Sequence, residues 1–303
     1  MDFELTPDQD ALVAAIDKLA QRFETKPTEF HGFALEGREL EEELTEGQYF
    51  DVAQIPELGP LAAALAVERL ARLPCAAETA LSMLVRPHLP GEWPRPLGLI
   101  EGGRPGRFVA GARTLIVIEA DSVQLAQPAA GEVERVESLL AYPMGRLRAA
   151  VELTPLAGQE AASVRKWLRV ALAAEASGLL QAAVASAVEH LTLRKQFGRP
   201  LGAFQALRHR MAECAVLAGG VRWLALKAAG TADDGDAALA AMHAQESATR
   251  IVYDVHQMLA AMGMTLEHPL HLWTYRLKAL LAELGGRGGQ AVAVARHCFG
   301  TAV

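Results

Sequence analysis

Apolar residues recur at helical spacing over two long stretches of this chain, and a shorter stretch of different pattern separates them. Leucine, valine, alanine and isoleucine repeat on one face from Pro7 to about Phe23, behind Thr6, whose hydroxyl suits a helix N-cap. The acidic cluster Glu39 to Glu43 predicts a solvated helix face. Gly59-Pro60 introduces an Ala/Leu helix over Leu61 to Leu70, and a further apolar segment covers Ala76 to Val85. Pro87, Pro90, Pro94 and Pro96 then crowd a stretch that neither a helix interior nor a central strand tolerates, because proline lacks the N–H that both need. Beyond it come short β-type runs such as Thr114-Leu115-Ile116-Val117-Ile118, with Gly and Pro between them, up to about Gly158. Helical patterns return near 160–192, 203–229, 236–262 and 270–284.

This order predicts a mainly α protein with a small β unit: a helical N-terminal domain over 1–86, a small β domain over 87–158 and a helical bundle over 159–303. Hydrophobic residues make up 51% and aromatics 6%, so the core is built from Ala, Leu and Val, which suits closely packed helices. The net charge of -7 gives no basic field for nucleic acid. No uncharged run reaches the roughly 18 apolar residues that span a bilayer, and the first residues are acidic where a signal peptide is basic. The expectation is a cytoplasmic protein without membrane insertion. Cys75, Cys214 and Cys298 are odd in number and lack CxxC spacing, which predicts reduced thiols in the core.

Chemistry concentrates at the corner Arg194 to Gln205, where Gly198 and Pro200 stop one helical pattern and a second starts near Ala203. An arginine there can present its fork to a phosphate while an amide follows on the next helix; a solvated arginine in a helix-loop-helix fits the same spacing. Glu175 lies in the Ala-rich stretch Ala171 to Val188, where a buried acid is either a base of raised pKa or the partner of a neighbouring cation. His268-x-x-His271 has no second metal-ligating cluster, and Glu-x-x-His, Walker-type and Gly-x-Ser-x-Gly motifs are absent from the sequence.

Arg194-Lys195-Gln196-Phe197-Gly198-x-Pro200-Leu201-x-x-Phe204-Gln205 resembles the signature of the acyl-CoA dehydrogenase family. The start Met1-Asp2-Phe3-Glu4-Leu5-Thr6-Pro7-Asp8-Gln9 is similar to that family's usual N-terminus. Gln257 to Gly263, followed by Glu267-His268-Pro269, resembles its Gln-x-x-Gly-Gly-x-Gly segment, with Ala260 and Ala261 in place of the paired glycines. The resemblance implies a helical N-terminal domain, a reduced middle β domain and a C-terminal bundle that oligomerises with like or unlike chains. It implies FAD, held across a subunit interface by Arg194, Gln196, Phe197, Gln205, Gln257 and Gly263, and Arg169 at an acyl-CoA substrate. The implied reaction is α,β-dehydrogenation of a CoA thioester, with electrons passed to an electron-transfer flavoprotein, in fatty acid or steroid catabolism. Where the family carries a Thr-Glu-Pro-Gly-x-Gly-Ser-Asp-like turn, this chain has Ile100-Glu101-Gly102-Gly103-Arg104. Its two usual catalytic glutamate positions fall on Leu284 and Leu168, so the candidate bases are Glu283, one residue from the first, and Glu175. The alternative reading is a non-catalytic partner subunit of a heteromeric dehydrogenase, a form that shortened members take for bulky acyl groups such as steroid side chains.

Overall fold

The structure, a computed structural model, describes residues 4–120 and 122–300. Met1, Asp2 and Phe3 of the N-terminal motif lie outside the described residues. Thr6 caps α1 (Pro7–Ala20) through a reciprocal pair: its hydroxyl accepts the Gln9 N–H, and the Gln9 side chain accepts the Thr6 N–H. In α2 (Arg38–Glu46) Leu40 and Leu44 turn into the core; of the acidic cluster expected to be solvated, Glu39 and Glu42 are exposed, whereas Glu41 and Glu43 are half-buried and Glu41 accepts the Glu78 N–H at 2.7 Å. α3 (Gly59–Ala71) is apolar around most of its circumference and is correspondingly buried. A turn of π-helix over Leu81–Val85 leads into the proline-rich stretch.

The β unit follows. β1 (Leu97–Glu101) pairs in parallel with β3 (Thr114–Glu119), which continues antiparallel to β4 (Ser122–Ala126) and then to β7 (Thr154–Leu156). A smaller antiparallel sheet has the order β2 (Gly106–Arg107), β6 (Met144–Leu147), β5 (Val133–Val136). Helices then run to the end of the described chain: α4 (Gly158–Leu193), α5 (Gln205–Thr231), α6 (Asp234–Leu259), α7 (Leu270–Leu280) and α8 (Gly286–Phe299). Between α4 and α5 the corner closes with a two-residue ladder of β8 (Lys195–Gln196) on β9 (Arg199–Pro200).

Two helices end earlier than their periodicity predicts. α6 stops at Leu259, before a 3₁₀ segment over Ala260–Met264. α7 stops at Leu280 rather than 284, because Gly285 and Gly286 adopt positive φ and Leu284 is drawn into the left-handed region at φ 56°. That break separates α7 from α8 and shapes the site described below.

A continuous core joins the layers, running through Ile16, Leu65, Leu84, Ile116, Leu172, Ala241 and Leu277; it takes in Cys75 and Cys214, whereas Cys298, expected there, is exposed near the end of α8. The small residues let backbones approach closely. A Cβ at Gly178 would lie 2.2 Å from the Glu68 carbonyl, so α3 crosses α4 at a point where only glycine fits. α4 is long and apolar enough to cross a membrane by composition, yet 89% of its apolar window is buried inside the protein, as a central bundle helix requires.

A buried carboxylate cluster as candidate active site

Arg107 is the hub of the site. Its side chain, 2% exposed, leaves β2 towards the bundle; Nη1 donates to Glu175 Oε2 at 2.7 Å and Nε to Glu283 Oε1 at 2.7 Å. Tyr142 donates its hydroxyl to the other oxygen of Glu175 at 2.7 Å. Two glutamates that the sequence places on separate helical stretches thus meet on one guanidinium, whose fork suits two carboxylates at once. Gly106 makes the approach possible: a Cβ there would sit 1.7 Å from the Leu99 carbonyl of β1.

The Glu283 backbone is fixed from three sides. Gln245 of α6 donates to the carbonyls of Leu280 (2.8 Å) and Glu283 (3.0 Å). Gln290 of α8 donates to the Leu284 carbonyl at 2.9 Å. Glu101, at the end of β1, accepts the N–H of Leu284 (2.7 Å) and of Gly285 (3.0 Å), tying down the turn in which Leu284 takes its left-handed conformation. Those bonds settle which way the turn presents Glu283.

A cavity of about 360 Å³ opens between the β unit and the end of α7, lined mainly by apolar residues including Leu99, Leu140, Met144, Ala279 and Ala282, with Arg107 and Glu283 in its wall. Glu283 Oε2 is buried and has no hydrogen-bond partner, whereas both oxygens of Glu175 are engaged. Burial pushes the Glu283 carboxyl above the ordinary carboxylate range, and the Arg107 charge pulls the other way without cancelling it. Burial also works against the charge on Arg107, but Glu175 and Glu283 more than offset it and keep Arg107 protonated. Tyr142 is raised well above its usual value by burial and then by the charge of Glu175, so its hydroxyl stays a donor. A carboxylate of raised pKa with one unbonded oxygen, beside an apolar cavity, is equipped to accept a proton from carbon.

The remaining predicted residues lie elsewhere. Arg194 ends α4, Gln205 begins α5 and Gln257 lies near the end of α6, so antiparallel packing gathers them at one end of the bundle. Arg194, Gln196, Phe197, Gln205 and Gln257 are all exposed, Phe197 to 90%. Among the described residues, the side chains of Arg194, Gln196, Gln205 and Gln257 have no hydrogen-bond or ion-pair partner. Gly263 is buried, with no room for a Cβ, which would meet the His256 carbonyl at 2.9 Å. Nineteen residues separate Glu175 from Arg194 along α4, roughly 28 Å of helix, so the chain does not bring its two candidate regions into one pocket. Arg169 is half-buried, and its Nε donates to Gln290 at 2.8 Å, outside the lining of the Glu283 cavity. Leu168 is buried in the core.

The family model for the acyl-CoA dehydrogenase C-terminal domain matches residues 160–299. Residues 160–299 are thus those of an acyl-CoA dehydrogenase C-terminal domain. Acyl-CoA dehydrogenase FadE34 of Mycobacterium tuberculosis is 32% identical over 206 residues, covering 63% of this chain and 28% of that protein. Acyl-CoA dehydrogenase IpdE2 of the same organism is 35% identical over 107 residues, 35% of this chain and 34% of IpdE2. The chain therefore matches about a third or less of the length of these relatives. Its fold is that of the acyl-CoA dehydrogenases throughout. A chain of the ChsE4-ChsE5 complex from Mycobacterium tuberculosis superposes with a TM-score of 0.75 at 20% identity over 100% of both chains. Butyryl-CoA dehydrogenase from Megasphaera elsdenii superposes with a TM-score of 0.74 at 19% identity over 98% of this chain and 100% of that one.

Sequence reasoning missed Arg107 and Tyr142. Neither stands in a motif, and one arginine among 29 basic residues has no local signal for burial. Only the shortness of the run Gly106-Arg107-Phe108 inside a β region, with an apolar neighbour on one side, marks the place.

Proposed function

We propose that this chain is an FAD-dependent acyl-CoA dehydrogenase subunit that introduces an α,β double bond into a CoA thioester, with Glu283 as the base. The observation that carries the proposal is the buried, unbonded Oε2 of Glu283, a residue in the wall of an apolar cavity between the β unit and the bundle. Bound FAD would supply the hydride acceptor for the β-hydrogen and the electron path to an electron-transfer flavoprotein. Glu283 takes the α-proton on Oε2, and its raised pKa brings it closer to the thioester α-carbon as a proton acceptor near neutral pH. Leu99, Leu140 and Met144 give the cavity beside the carboxylate an apolar wall. Glu175, with Arg107 on one oxygen and Tyr142 on the other, serves as the fixed counter-charge of Arg107.

The residues present fit a flavin dinucleotide only as a shared ligand. Arg194, Gln196, Gln205 and Gln257 are unpartnered and point out of the chain, as groups that hold a diphosphate belonging to a neighbouring subunit would be. Oligomerisation through this bundle follows, and exposed Phe197, Val216 and Tyr253 supply apolar surface for it. The leucines at 284 and 168 favour a second reading, in which the chain is the non-catalytic partner of a heteromeric dehydrogenase for a bulky, steroid-type acyl group. A solved relative described as a steroid ACAD, with a TM-score of 0.73 and 21% identity, is in keeping with that acyl class.

The test is an absorption spectrum of the purified chain, alone and co-expressed with a second dehydrogenase chain, followed by anaerobic addition of acyl-CoA. The expected result is flavin that bleaches, and an Arg194→Ala variant that assembles with less flavin. Unchanged flavin content in Arg194→Ala would remove the cofactor assignment. A bleaching complex that keeps full activity with Glu283→Gln would establish the non-catalytic role.

A further inference from the structure

We propose that Arg107 is the positioning residue of the site: it holds one oxygen of Glu283 so that the other is left unbonded, and Glu175 with Tyr142 locks the guanidinium from behind. The inference rests on the reading of Glu283 as the base but concerns a different atom set. Its ground is geometric. The two guanidinium edges each carry one carboxylate at 2.7 Å, the side chain is 2% exposed, and Glu283 keeps one oxygen bonded and one bare. The family's usual glutamate position is Leu284 here, and Leu284 is turned away by its left-handed backbone and by the tie from Glu101 to its N–H. A glutamate one residue earlier on a regular helix would point about 100° away. The break after Leu280 and the pull of Arg107 together redirect it.

The charged and titratable groups around Glu283 are Arg107 from β2, Glu175 from α4, Glu101 from β1 and, behind Glu175, Tyr142 before β6 and Arg276 of α7. Two carboxylates face Glu283 from different elements and a single cation bonds it. Removing that cation leaves Glu283 and Glu175 as neighbouring buried acids, which cannot both ionise easily. Arg107 thus sets both where the free oxygen points and the pH at which it is ionised.

The experiment follows the Glu283 carboxyl through a pH titration of the full chain by ¹³C-carboxyl NMR, its resonance identified by its disappearance in Glu283→Gln. In Arg107→Met the titration is expected to move upward by about 1 to 3 pH units, the range by which a neighbouring arginine shifts a carboxylate. Arg107→Lys is expected to restore only part of the shift, because a point charge cannot engage two carboxylates with separate edges. Should Arg107→Met fail to fold, the double variant Arg107→Met with Glu175→Gln removes the stranded second acid, and a smaller upward move is read there. A Glu283 titration that stays at its wild-type position in both variants overturns the proposal. In preparations carrying flavin, the acid limb of bleaching by acyl-CoA should move with the titration. A moved titration with no bleaching in the wild type or its complexes would overturn the functional reading and leave the action of Arg107 on Glu283 standing. Bleaching whose pH profile and Glu283 titration ignore Arg107 would do the reverse.

Discussion

Two regions of the molecule bury a glutamate of raised pKa, and they differ in one respect. Glu78, 1% exposed, lies where the N-terminal helices meet the β unit; its Oε1 accepts the Ser82 N–H at 3.0 Å, and its Oε2 accepts the Ser82 hydroxyl and the Leu97 N–H, with an Arg95 nitrogen 3.7 Å away. Burial pushes it up to about 7 despite Arg95. Glu283 has one oxygen on Arg107 and the other on nothing. Both adjoin cavities of similar size, about 350 Å³ beside Glu78 and about 360 Å³ beside Glu283. Neither a raised pKa nor a nearby cavity therefore separates the two acids. What separates them is the unsatisfied oxygen, because a carboxylate whose lone pairs are all engaged must break hydrogen bonds before it can take a proton.

The largest expected effect tests that distinction. Glu283→Gln should slow flavin bleaching by acyl-CoA by about 10²- to 10⁴-fold, the usual worth of a positioned base, while flavin content and CoA-ester binding stay intact. Glu78→Gln should leave the bleaching rate per flavin near that of the wild type. Equal losses in the two variants, with both folded, would break the comparison.

Next in size is a pH effect on stability at Glu78 alone. Its folded pKa of about 7 stands above the ordinary value of 4.5, so the folded state binds the proton more tightly. The resulting stabilisation is fully present below about 4.5 and is lost as pH rises to about 7, a change of roughly 3 kcal/mol for one group. Urea unfolding at pH 4.5 and pH 7.5 should show wild type losing that much more than Glu78→Gln over the interval. A pH dependence that the substitution leaves unchanged would show that Glu78 titrates as an ordinary carboxylate.

These two acids also show how far the chain could be read without its structure. The order of helices, strands and bundle follows from proline crowding at 87–96 and from apolar spacing, both of which are local signals. Glu175 could be named because a lone acid in an Ala-rich helical stretch is conspicuous, and Glu283 because it stands one residue from the position where the resembled family carries its base. Their meeting could not be read, since it depends on Arg107, carried there by a two-residue strand that only Gly106 lets pass over β1. Glu78 attracted no notice at all: its burial comes from contacts with β1, and its partners Arg95 and Leu97 lie in and beyond the proline-rich stretch. The early end of α7 has the same character. Gly285-Gly286 announces a helix stop, but how far back the unwinding reaches is set by Glu101, Gln245 and Gln290, which come from three other elements.

The smallest effect is expected from Tyr142→Phe, and it separates the two acids that share Arg107. The substitution removes only the hydroxyl that donates to Glu175 Oε1 and leaves the ring in its edge contact with Phe108. A buried oxygen deprived of its donor costs about 1 to 3 kcal/mol, so the unfolding midpoint in urea should fall accordingly. If Glu175 serves only to anchor Arg107, bleaching per flavin and its pH profile should hold within a few-fold, because Glu283 retains its bond to Nε. If Glu175 were the base, loss of the phenol would free an oxygen of the reacting carboxylate, and both the rate and its pH profile should change. A lowered midpoint with an unmoved pH profile is the outcome expected here, and it would leave Glu283 as the carboxylate of the cluster with an oxygen free for chemistry.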